Sequence, residues 1–167
     1  MSVAVYPGSF DPITNGHLDI VKRGVKIFDQ IIVGVADNPA RPTFFSKDER
    51  IEMLKEILKP YKTVSVDSFD GLVVEFVKKK KAHVILRGIR TISDFEYEYQ
   101  MALTNRTFAT DIETAFVMTS EEFSFVSSKL IKEAAGLGGD ISALVPKEAE
   151  RWVKKKLADG TKTRKRE

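Results

Sequence analysis

The fold is decided by residues 3–17, which read VAVYPGSFDPITNGH. The apolar run Val3–Tyr6 predicts a strand, and the Pro7-Gly8 pair that follows it predicts a turn. After the loop, apolar residues recur at helical spacing from Leu18 to Phe28, which predicts a helix. A strand joined directly to a helix in this way is the opening unit of a parallel α/β sheet.

The same alternation continues along the chain. Further strands are predicted over Ile31–Val35, Val64–Val66, Val84–Leu86 and Thr114–Met118. Helices are predicted from the capping boxes that open at Ser46 and Ser93, over Leu72–Lys80, from Ser127 to Ala135, and from Pro146 to a stop at Gly160. We therefore expect an α/β fold: a single-domain, doubly wound parallel five-stranded sheet of the Rossmann-like kind, in the order 3-2-1-4-5, with helices on both faces.

This strand order locates the binding site. The chain reverses direction between strands 1 and 4, and ligands of doubly wound sheets bind beyond the carboxyl ends of the strands at that point. The loops there are Pro7–Asp11 and Arg87–Arg90. Two arginines at the mouth of a strand are poor structural choices, whereas guanidinium groups match phosphate oxygens. The alternative is a pair of surface arginines that bridge to Asp94 or Glu96.

Composition narrows the classes of function. The 167 residues are 43% hydrophobic and include no cysteine, which excludes disulfides, thiolate chemistry and cysteine-bound zinc. With only His17 and His83, a multi-histidine metal site is excluded too, and we expect no metal held by the protein. No apolar run is long enough to span a membrane, and residues 1–11 do not resemble a secretory signal. We therefore expect a cytoplasmic protein without a membrane partner.

The net charge of +3 belongs to the last eight residues. Residues 160–167 hold four basic side chains and one acidic side chain, whereas residues 1–159 are formally neutral. We expect one domain over residues 1–159 and a basic, disordered tail over residues 160–167. No nucleic-acid partner is expected, and weak binding of RNA by the tail is the alternative.

The loop between the first strand and its helix has neither the G-x-G-x-x-G pattern of dinucleotide sites nor the P-loop pattern. Gly8 lets the backbone turn sharply and lets a ligand approach it. His17 falls in the first turn of the helix, beside unpaired N–H groups and the positive end of the helix dipole, where anions bind. We expect His17 to hydrogen-bond a phosphate oxygen. The alternative is that Thr14 or Asn15 caps the helix and His17 is a surface residue.

Four blocks of sequence occur together in this chain: residues 6–17, Arg87–Arg90, Asp94–Glu98 and Ser124–Ser128. With Thr14–His17 as the T/H-x-G-H signature, the chain resembles, over most of its length, the bacterial phosphopantetheine adenylyltransferase family of the nucleotidylyltransferase superfamily. The resemblance implies a nucleotidyltransferase that transfers an adenylyl group from ATP to 4′-phosphopantetheine. Dephospho-coenzyme A and pyrophosphate are the products, in coenzyme A biosynthesis. It also implies Mg²⁺ that arrives with ATP, and a homo-oligomer that is a hexamer.

The resemblance implies roles for single residues as well. His17 would be the catalytic residue that stabilises the transition state. The 4′-phosphopantetheine site would comprise Ser9, Arg41, Val73 and Arg87. The ATP site would comprise Ser9, Phe10, His17, Gly88, Ile89, Arg90, Glu98, Phe123, Ser124, Phe125, Val126, Ser127, Ser128 and Lys129. Arg41 stands where the family usually has lysine, so the charge is kept although the shape of the cation differs.

Other interpretations are kept open. One is transfer to a different acceptor, such as nicotinamide mononucleotide, although the segments around Asp94 and Ser124 argue against it. Another is a nucleotide-binding regulatory module without catalysis, and a third is an RNA-binding protein that uses the tail. Glu98 could be an ordinary exposed helix acid. Outside the site, Phe69, Phe76 and Phe95 are assigned to the core.

Overall fold

The computed structural model describes residues 2–38, 40 and 42–164, and for residues 160–164 it describes only the helical backbone. Arg41, which the sequence predicts to bind substrate, lies outside the described residues. Residues 165–167 of the predicted tail also lie outside them.

Within the described residues, five parallel strands form one sheet in the order β3-β2-β1-β4-β5. They are β1 (Val3–Gly8), β2 (Gln30–Ala36), β3 (Val64–Phe69), β4 (Val84–Ile89) and β5 (Glu113–Met118). The predicted fold class and strand order are confirmed. Strands β1 and β4 are neighbours, with Ala4 opposite Val84. Their carboxyl ends therefore meet where the chain reverses direction.

The strands are longer than the apolar pattern predicted. Arg87 and Gly88 belong to β4 and not to the loop after it, and Gly8 belongs to β1. The apolar pattern ends early at these residues, but parallel pairing continues through them: Arg87 lies opposite Phe116, and Gly8 lies opposite Val35. The Arg87 side chain therefore projects from a strand that is fixed by hydrogen bonds to its neighbour.

The described residues form six α-helices: α1 (Asn15–Gly24), α2 (Lys47–Leu58), α3 (Val73–Lys79), α4 (Ile92–Phe108), α5 (Ser128–Gly136) and α6 (Lys147–Arg164), with a 3-10 turn at Glu121–Phe123. Two predicted helix boundaries are wrong. Helix α4 is capped by Thr91, whose hydroxyl accepts a hydrogen bond from the Asp94 N–H, and not by Ser93. Helix α6 continues through Gly160 to Arg164. One glycine inside a helix costs only about 1 kcal/mol and does not have to end it.

Helices cover both faces of the sheet, as predicted. On one face a large core cluster joins α1, α2, α5 and α6 to the strands, and on the other a smaller cluster joins α3 to Val5 and Ile85. Phe76 is buried in the smaller cluster, and Phe69 stacks on it with the ring centroids 4.7 Å apart. The assignment of Phe95 to the core is wrong, because its side chain is 45% exposed.

Candidate active site

A cleft opens at the carboxyl ends of β1 and β4, where the strand order predicted a binding site. The residues that line it are Tyr6, Pro7, Gly8, Ser9, Thr14, Gly16, His17, Ile20, Arg87, Gly88, Arg90, Asp94, Glu98, Thr119, Val126, Ser127 and Ser128. Of the predicted site residues, the structure therefore brings together Ser9, His17, Arg87, Gly88, Arg90, Glu98, Val126, Ser127 and Ser128. Three chain segments that are distant in sequence meet here, within residues 6–20, 87–98 and 119–128.

His17 closes the first turn of α1 with its side chain. The Thr14 N–H donates to His17 Nδ1 at 3.1 Å, and the Thr14 hydroxyl accepts from the His17 N–H at 3.2 Å. This is a reciprocal capping box in which histidine takes the place usual for Glu or Gln. Because Nδ1 accepts a hydrogen bond, the proton of the neutral imidazole is on Nε2. Nε2–H therefore remains as a donor for a ligand.

Electrostatics keep His17 neutral. Burial of the ring and the positive charges of Arg90 and Arg87 lower the pKa of His17 from 6.5 to about 4. At neutral pH the side chain is thus an uncharged hydrogen-bond donor among cations. Thr14 does cap α1, as the alternative interpretation held, but His17 lines the cleft and is not a surface residue.

Arg87 is held by a bidentate ion pair with Glu98 on α4. Its Nε donates to one Glu98 oxygen at 2.7 Å, its Nη2 donates to the other oxygen, and its Nη1 donates to the Pro7 carbonyl at 2.6 Å. Burial opposes the charge of Arg87, but the pair with Glu98 outweighs burial and raises the pKa of Arg87. Glu98 is 9% exposed, so the alternative of an ordinary exposed helix acid is wrong.

Arg90 joins the start of α4 to the segment before α5. Its Nε donates to Asp94 at 2.8 Å, and its Nη1 donates to the Val126 carbonyl at 2.7 Å. The surface-arginine alternative anticipated this bridge to Asp94, but both residues line the cleft. Arg87 and Arg90 therefore bring two guanidinium groups to the same cleft as the His17 imidazole.

The N-terminus of α5 also reaches the cleft. Ser127 is its N-cap, and the Ser127 hydroxyl accepts from the Leu130 N–H at 3.2 Å. The Ser128 hydroxyl donates instead to the Pro12 carbonyl at 2.8 Å, which ties α5 to the loop after β1. The free N–H groups of this first turn and the positive end of the helix dipole favour an anion in the cleft.

Gly88 is required by the packing of α1 on β4. A Cβ at this position would lie 2.7 Å from Ile20 Cγ1, which is closer than two non-bonded carbon atoms approach. The constraint on this residue is therefore helix packing, which the local sequence does not reveal. The close contact between Gly88 and Ile20 fixes the distance of α1, and hence of His17, from the end of β4.

A second, more apolar pocket lies beside the cleft. Its lining residues are Pro7, Gly8, Ala36, Val73, Ile85, Arg87, Tyr97, Glu98, Met101, Ala102, Asn105 and Thr114. Val73, which the resemblance assigns to the pantetheine arm, is therefore in this pocket and not in the cleft. Pro7, Gly8, Arg87 and Glu98 line both spaces, so the ion pair and the end of β1 lie between them.

Some predicted ATP-binding residues are not among those that line the cleft. Phe10 and Ile89 are buried in the core, where the Phe10 ring packs edge-on against His17 with the centroids 5.1 Å apart. Along the segment that leads from β5 into α5, the structure places Phe123, Ser124, Phe125 and Lys129 outside the cleft lining. Phe125 is 64% exposed.

Asp11 is a buried anchor that sequence reasoning missed. Its carboxylate accepts hydrogen bonds from the backbone N–H groups of Phe44 and Phe45, both at 2.8 Å, and from Lys132 at 2.7 Å. It thereby joins the loop after β1 to the chain before α2 and to α5. The signal in the sequence was a lone carboxylate between Phe10 and Pro12, in a segment otherwise without charge.

Arg50 is a second missed anchor, and its side chain is 1% exposed. It donates to the carbonyls of Ser9 and Ala36, both at 2.9 Å, and to Asp37 at 3.2 Å. These bonds fix the backbone at Ser9, inside the cleft. The signal was a cation one turn before Leu54, on the face of α2 that is buried.

Among the described residues, no group of three or more His, Asp or Glu side chains is arranged to hold a metal ion. None of the described helices combines the length and the apolarity needed to cross a membrane.

The chain is similar to known proteins over most of its length. A family model described as cytidylyltransferase-like matches residues 5–134. A phosphopantetheine adenylyltransferase of Moorella thermoacetica is 52% identical over 156 residues, which cover 93% of this chain and 98% of the relative. Proteins of the same name from Desulfosudis oleivorans and Clostridium botulinum are 52% and 53% identical. The matches cover 94% and 89% of this chain, and 94% and 93% of those relatives.

Proposed function

Because the chain belongs to the cytidylyltransferase-like family, and within it to the phosphopantetheine adenylyltransferases, we propose that its cleft carries out adenylyl transfer. The adenylyl group of ATP passes to 4′-phosphopantetheine, giving dephospho-coenzyme A and pyrophosphate in coenzyme A biosynthesis. The observation that carries the proposal is the convergence of His17, Arg87, Arg90 and the N-terminus of α5 on one cleft, with an apolar pocket beside Arg87.

The reaction needs no covalent intermediate on the protein. An oxygen of the 4′-phosphate attacks the α-phosphorus of ATP in line, a new P–O bond forms, and the bond to the pyrophosphate oxygen breaks. A phosphate dianion is already a nucleophile, so no general base has to remove a proton. The protein brings two anions together and stabilises the charge that develops around the α-phosphorus.

His17 stabilises the transition state in this proposal. Its Nε2–H donates to a non-bridging oxygen of the α-phosphate, where charge increases as the new bond forms. Because the pKa of His17 is about 4, the imidazole acts as a neutral donor at working pH and does not exchange a proton with the substrate. Arg87 and Arg90 have two effects here, since they attract the anions and also keep His17 uncharged.

The acceptor lies on the Arg87 side of the cleft. Arg87 and Ser9 hold the 4′-phosphate, and the pantetheine arm extends into the apolar pocket that contains Val73. Arg41 supplies a further cation in this proposal. Glu98 keeps Arg87 oriented through the bidentate pair, so the guanidinium enters the complex with little loss of side-chain freedom.

The nucleotide lies on the Arg90 side. The triphosphate oxygens meet Arg90 and the N–H groups of the first turn of α5, at Ser127 and Ser128. Because the side chains of Phe10 and Ile89 are buried, these residues contribute through their backbone. The other nucleotide contacts in the proposal are Ser9, Gly88, Glu98, Phe123, Ser124, Phe125, Val126 and Lys129.

Mg²⁺ enters with ATP as part of the substrate and neutralises phosphate oxygens. The protein acts in the cytoplasm as a homohexamer, with neither nucleic acid nor a membrane as partner. Self-association is supported by exposed apolar side chains on α4, namely Ile92, Phe95, Tyr99, Leu103 and Phe108. Sedimentation equilibrium should give six times the chain mass of 18.8 kDa. A monomer at micromolar concentration would refute the hexamer.

One assay tests the activity. The purified protein is mixed with MgATP and 4′-phosphopantetheine, and pyrophosphate and dephospho-coenzyme A are measured together. We expect stoichiometric formation of both products. The same assay with CTP as donor, or with nicotinamide mononucleotide as acceptor, should give at most a small fraction of that rate. Faster turnover of either replacement would assign the chain to a different reaction of the family.

Two arginine variants test the division of the cleft. We expect Arg87→Ala to weaken phosphopantetheine binding and Arg90→Ala to weaken ATP binding, each by about tenfold or more, because each removes a charged hydrogen-bond donor. Calorimetric titration of each ligand into each variant measures this. Arg106→Ala is the matched control, since Arg106 on α4 pairs with Glu113 at the start of β5 and both side chains are exposed. Equal effects on both ligands would mean that the general positive field matters and that specific contacts do not.

A further inference from the structure

A carboxylate outside the cleft ties α1 to the chain that follows β5. Asp19 Oδ2 accepts from the Ser120 N–H at 2.8 Å and from Arg23 Nε at 3.1 Å, and its Oδ1 accepts from the Ser120 hydroxyl at 3.0 Å. Arg23 Nη2 also donates to the Ser120 hydroxyl at 2.6 Å. Burial opposes the charge of Asp19, but the hydrogen bonds from Ser120 and Arg23 outweigh it and lower the pKa of Asp19. The carboxylate is therefore charged, and both of its oxygens are used.

The residues that Asp19 holds lead directly into the nucleotide side of the cleft. We call residues 119–127 the nucleotide segment; it begins at Thr119 and ends at the N-cap of α5, and both of these residues line the cleft. Its far end is fixed by Arg90, which donates to the Val126 carbonyl at 2.7 Å. Its near end is held by the Thr119 N–H, which donates to the Ile89 carbonyl at 3.0 Å, and by the two hydrogen bonds from Ser120 to the Asp19 carboxylate.

A second contact supports this arrangement one turn earlier on α1. A Cβ on Gly16 would lie 3.6 Å from the Phe123 carbonyl oxygen, so the start of α1 is in van der Waals range of the nucleotide segment. Gly16 and Asp19 flank His17 and Leu18 on α1. Attachment at two points on either side of His17 fixes the nucleotide segment relative to the imidazole.

We infer that Asp19 is a positioning residue for the nucleotide and acts through Ser120 on the nucleotide segment. None of the residues proposed to contact the acceptor lies in that segment. The inference rests on the proposed function. Asp19 touches no substrate. It sets the place of the nucleotide segment before ATP arrives, so that binding does not have to order the segment. Loss of this anchor should therefore weaken ATP and leave the acceptor site as it is.

The test compares Asp19→Ala with Asp29→Ala in the full chain. Asp29 is a matched control, because it also accepts from the N–H and hydroxyl of one serine, Ser2, at 2.6 and 3.2 Å. This pair is exposed and precedes β1 and β2, so it lies at the amino ends of the strands, whereas the cleft lies at their carboxyl ends. We expect Asp19→Ala to raise the Kd and KM for ATP about tenfold, the effect of losing charged hydrogen bonds from a preorganised site. The Kd for 4′-phosphopantetheine should change less than twofold, and Asp29→Ala should change neither.

A milder variant keeps the inference testable if Asp19→Ala does not fold. Ser120→Ala removes the hydroxyl bonds and keeps the backbone N–H bond, and we expect a roughly threefold rise in the Kd for ATP alone. Hydrogen exchange should also accelerate at the amide of Ser120 in Asp19→Ala. If the variants weaken both ligands equally, or neither, Asp19 has no positioning role. If the wild-type chain itself forms no dephospho-coenzyme A, the proposed function fails instead, and that result is separate from the binding data.

Discussion

The two roles of His17 can be separated by substitution, because Nδ1 and Nε2 have different partners. Asparagine places its amide oxygen where Nδ1 stands in histidine and has no atom at the position of Nε2. His17→Asn therefore keeps an acceptor for the Thr14 N–H and removes the donor to substrate, whereas His17→Ala removes both. The comparison separates the chemistry from the helix cap.

We expect the two variants to lose the same amount of kcat and to differ only in their free energy of unfolding. Removal of one donor to developing charge lowers kcat by about 10²–10³, roughly 3–4 kcal/mol, and we expect this loss in both variants. In His17→Ala the N–H of Thr14, a residue that is 2% exposed, loses its acceptor. The free energy of unfolding should then fall by about 1–2 kcal/mol, while His17→Asn stays close to the wild type.

Pyrophosphate release at saturating substrates gives kcat, and urea unfolding at the same pH gives stability. A wild-type kcat in His17→Asn would remove the imidazole from the mechanism. A kcat that falls only in His17→Ala, together with its stability, would mean that the residue acts as a helix cap alone. Unchanged stability in His17→Ala would contradict the importance of the Nδ1 hydrogen bond.

Three further predictions concern packing, pH and the C-terminal residues. Gly88→Ala brings a Cβ within 2.7 Å of Ile20, so the free energy of unfolding should fall by about 1–3 kcal/mol and kcat should fall with it. Chemical denaturation measures the first quantity and a turnover assay the second. A protein unaffected in both would show that α1 can shift to make room for the methyl group. The His17 ring should stay neutral until the pH nears 4. Since the unfolded chain takes up that proton near pH 6.5, the stability contributed by this residue should be lost as the pH falls from 6.5 to 4. Long-range ¹⁵N spectra check this, with His83→Gln for assignment, and a ring that titrates at 6.5 or above would contradict it. Truncation after Asp159 removes the net charge of +3, so retention of the protein on RNA should fall, whereas turnover should persist. A collapse of turnover in a chain that still folds would place residues 160–167 near an active site.

The strand order was predictable because five short strand patterns alternate with helical patterns along the chain, and right-handed crossovers leave few arrangements. The ends of the strands were not predictable in the same way. Hydrophobicity stops at Arg87, yet backbone pairing to β5 does not depend on side-chain polarity and continues to Ile89. The sequence therefore located the site to two loops. It did not show that Arg87 belongs to β4 and is held in place by pairing with β5.

Helix α4 shows a second limit of sequence reasoning. Thr91 and Ser93 are each followed three residues later by an acid, so both satisfy the capping pattern, and only tertiary packing selects Thr91. The helix carries apolar residues around most of its circumference, and the pattern alone does not say which of them face the sheet. Phe95 was therefore assigned to the core although it is exposed, while Glu98 is the residue that α4 buries.

The ion pair of Arg87 and Glu98 lies between the cleft and the apolar pocket. Because both spaces contact the same two charged side chains, binding in one should be coupled to binding in the other. A ligand that takes hydrogen bonds from Arg87 changes the free energy of Glu98, which has little access to water to replace them. Occupancy on one side therefore changes affinity on the other. By thermodynamic linkage, the factor by which the first ligand changes the Kd of the second equals the factor by which the second changes the Kd of the first. The coupling should disappear when both members of the pair are replaced together.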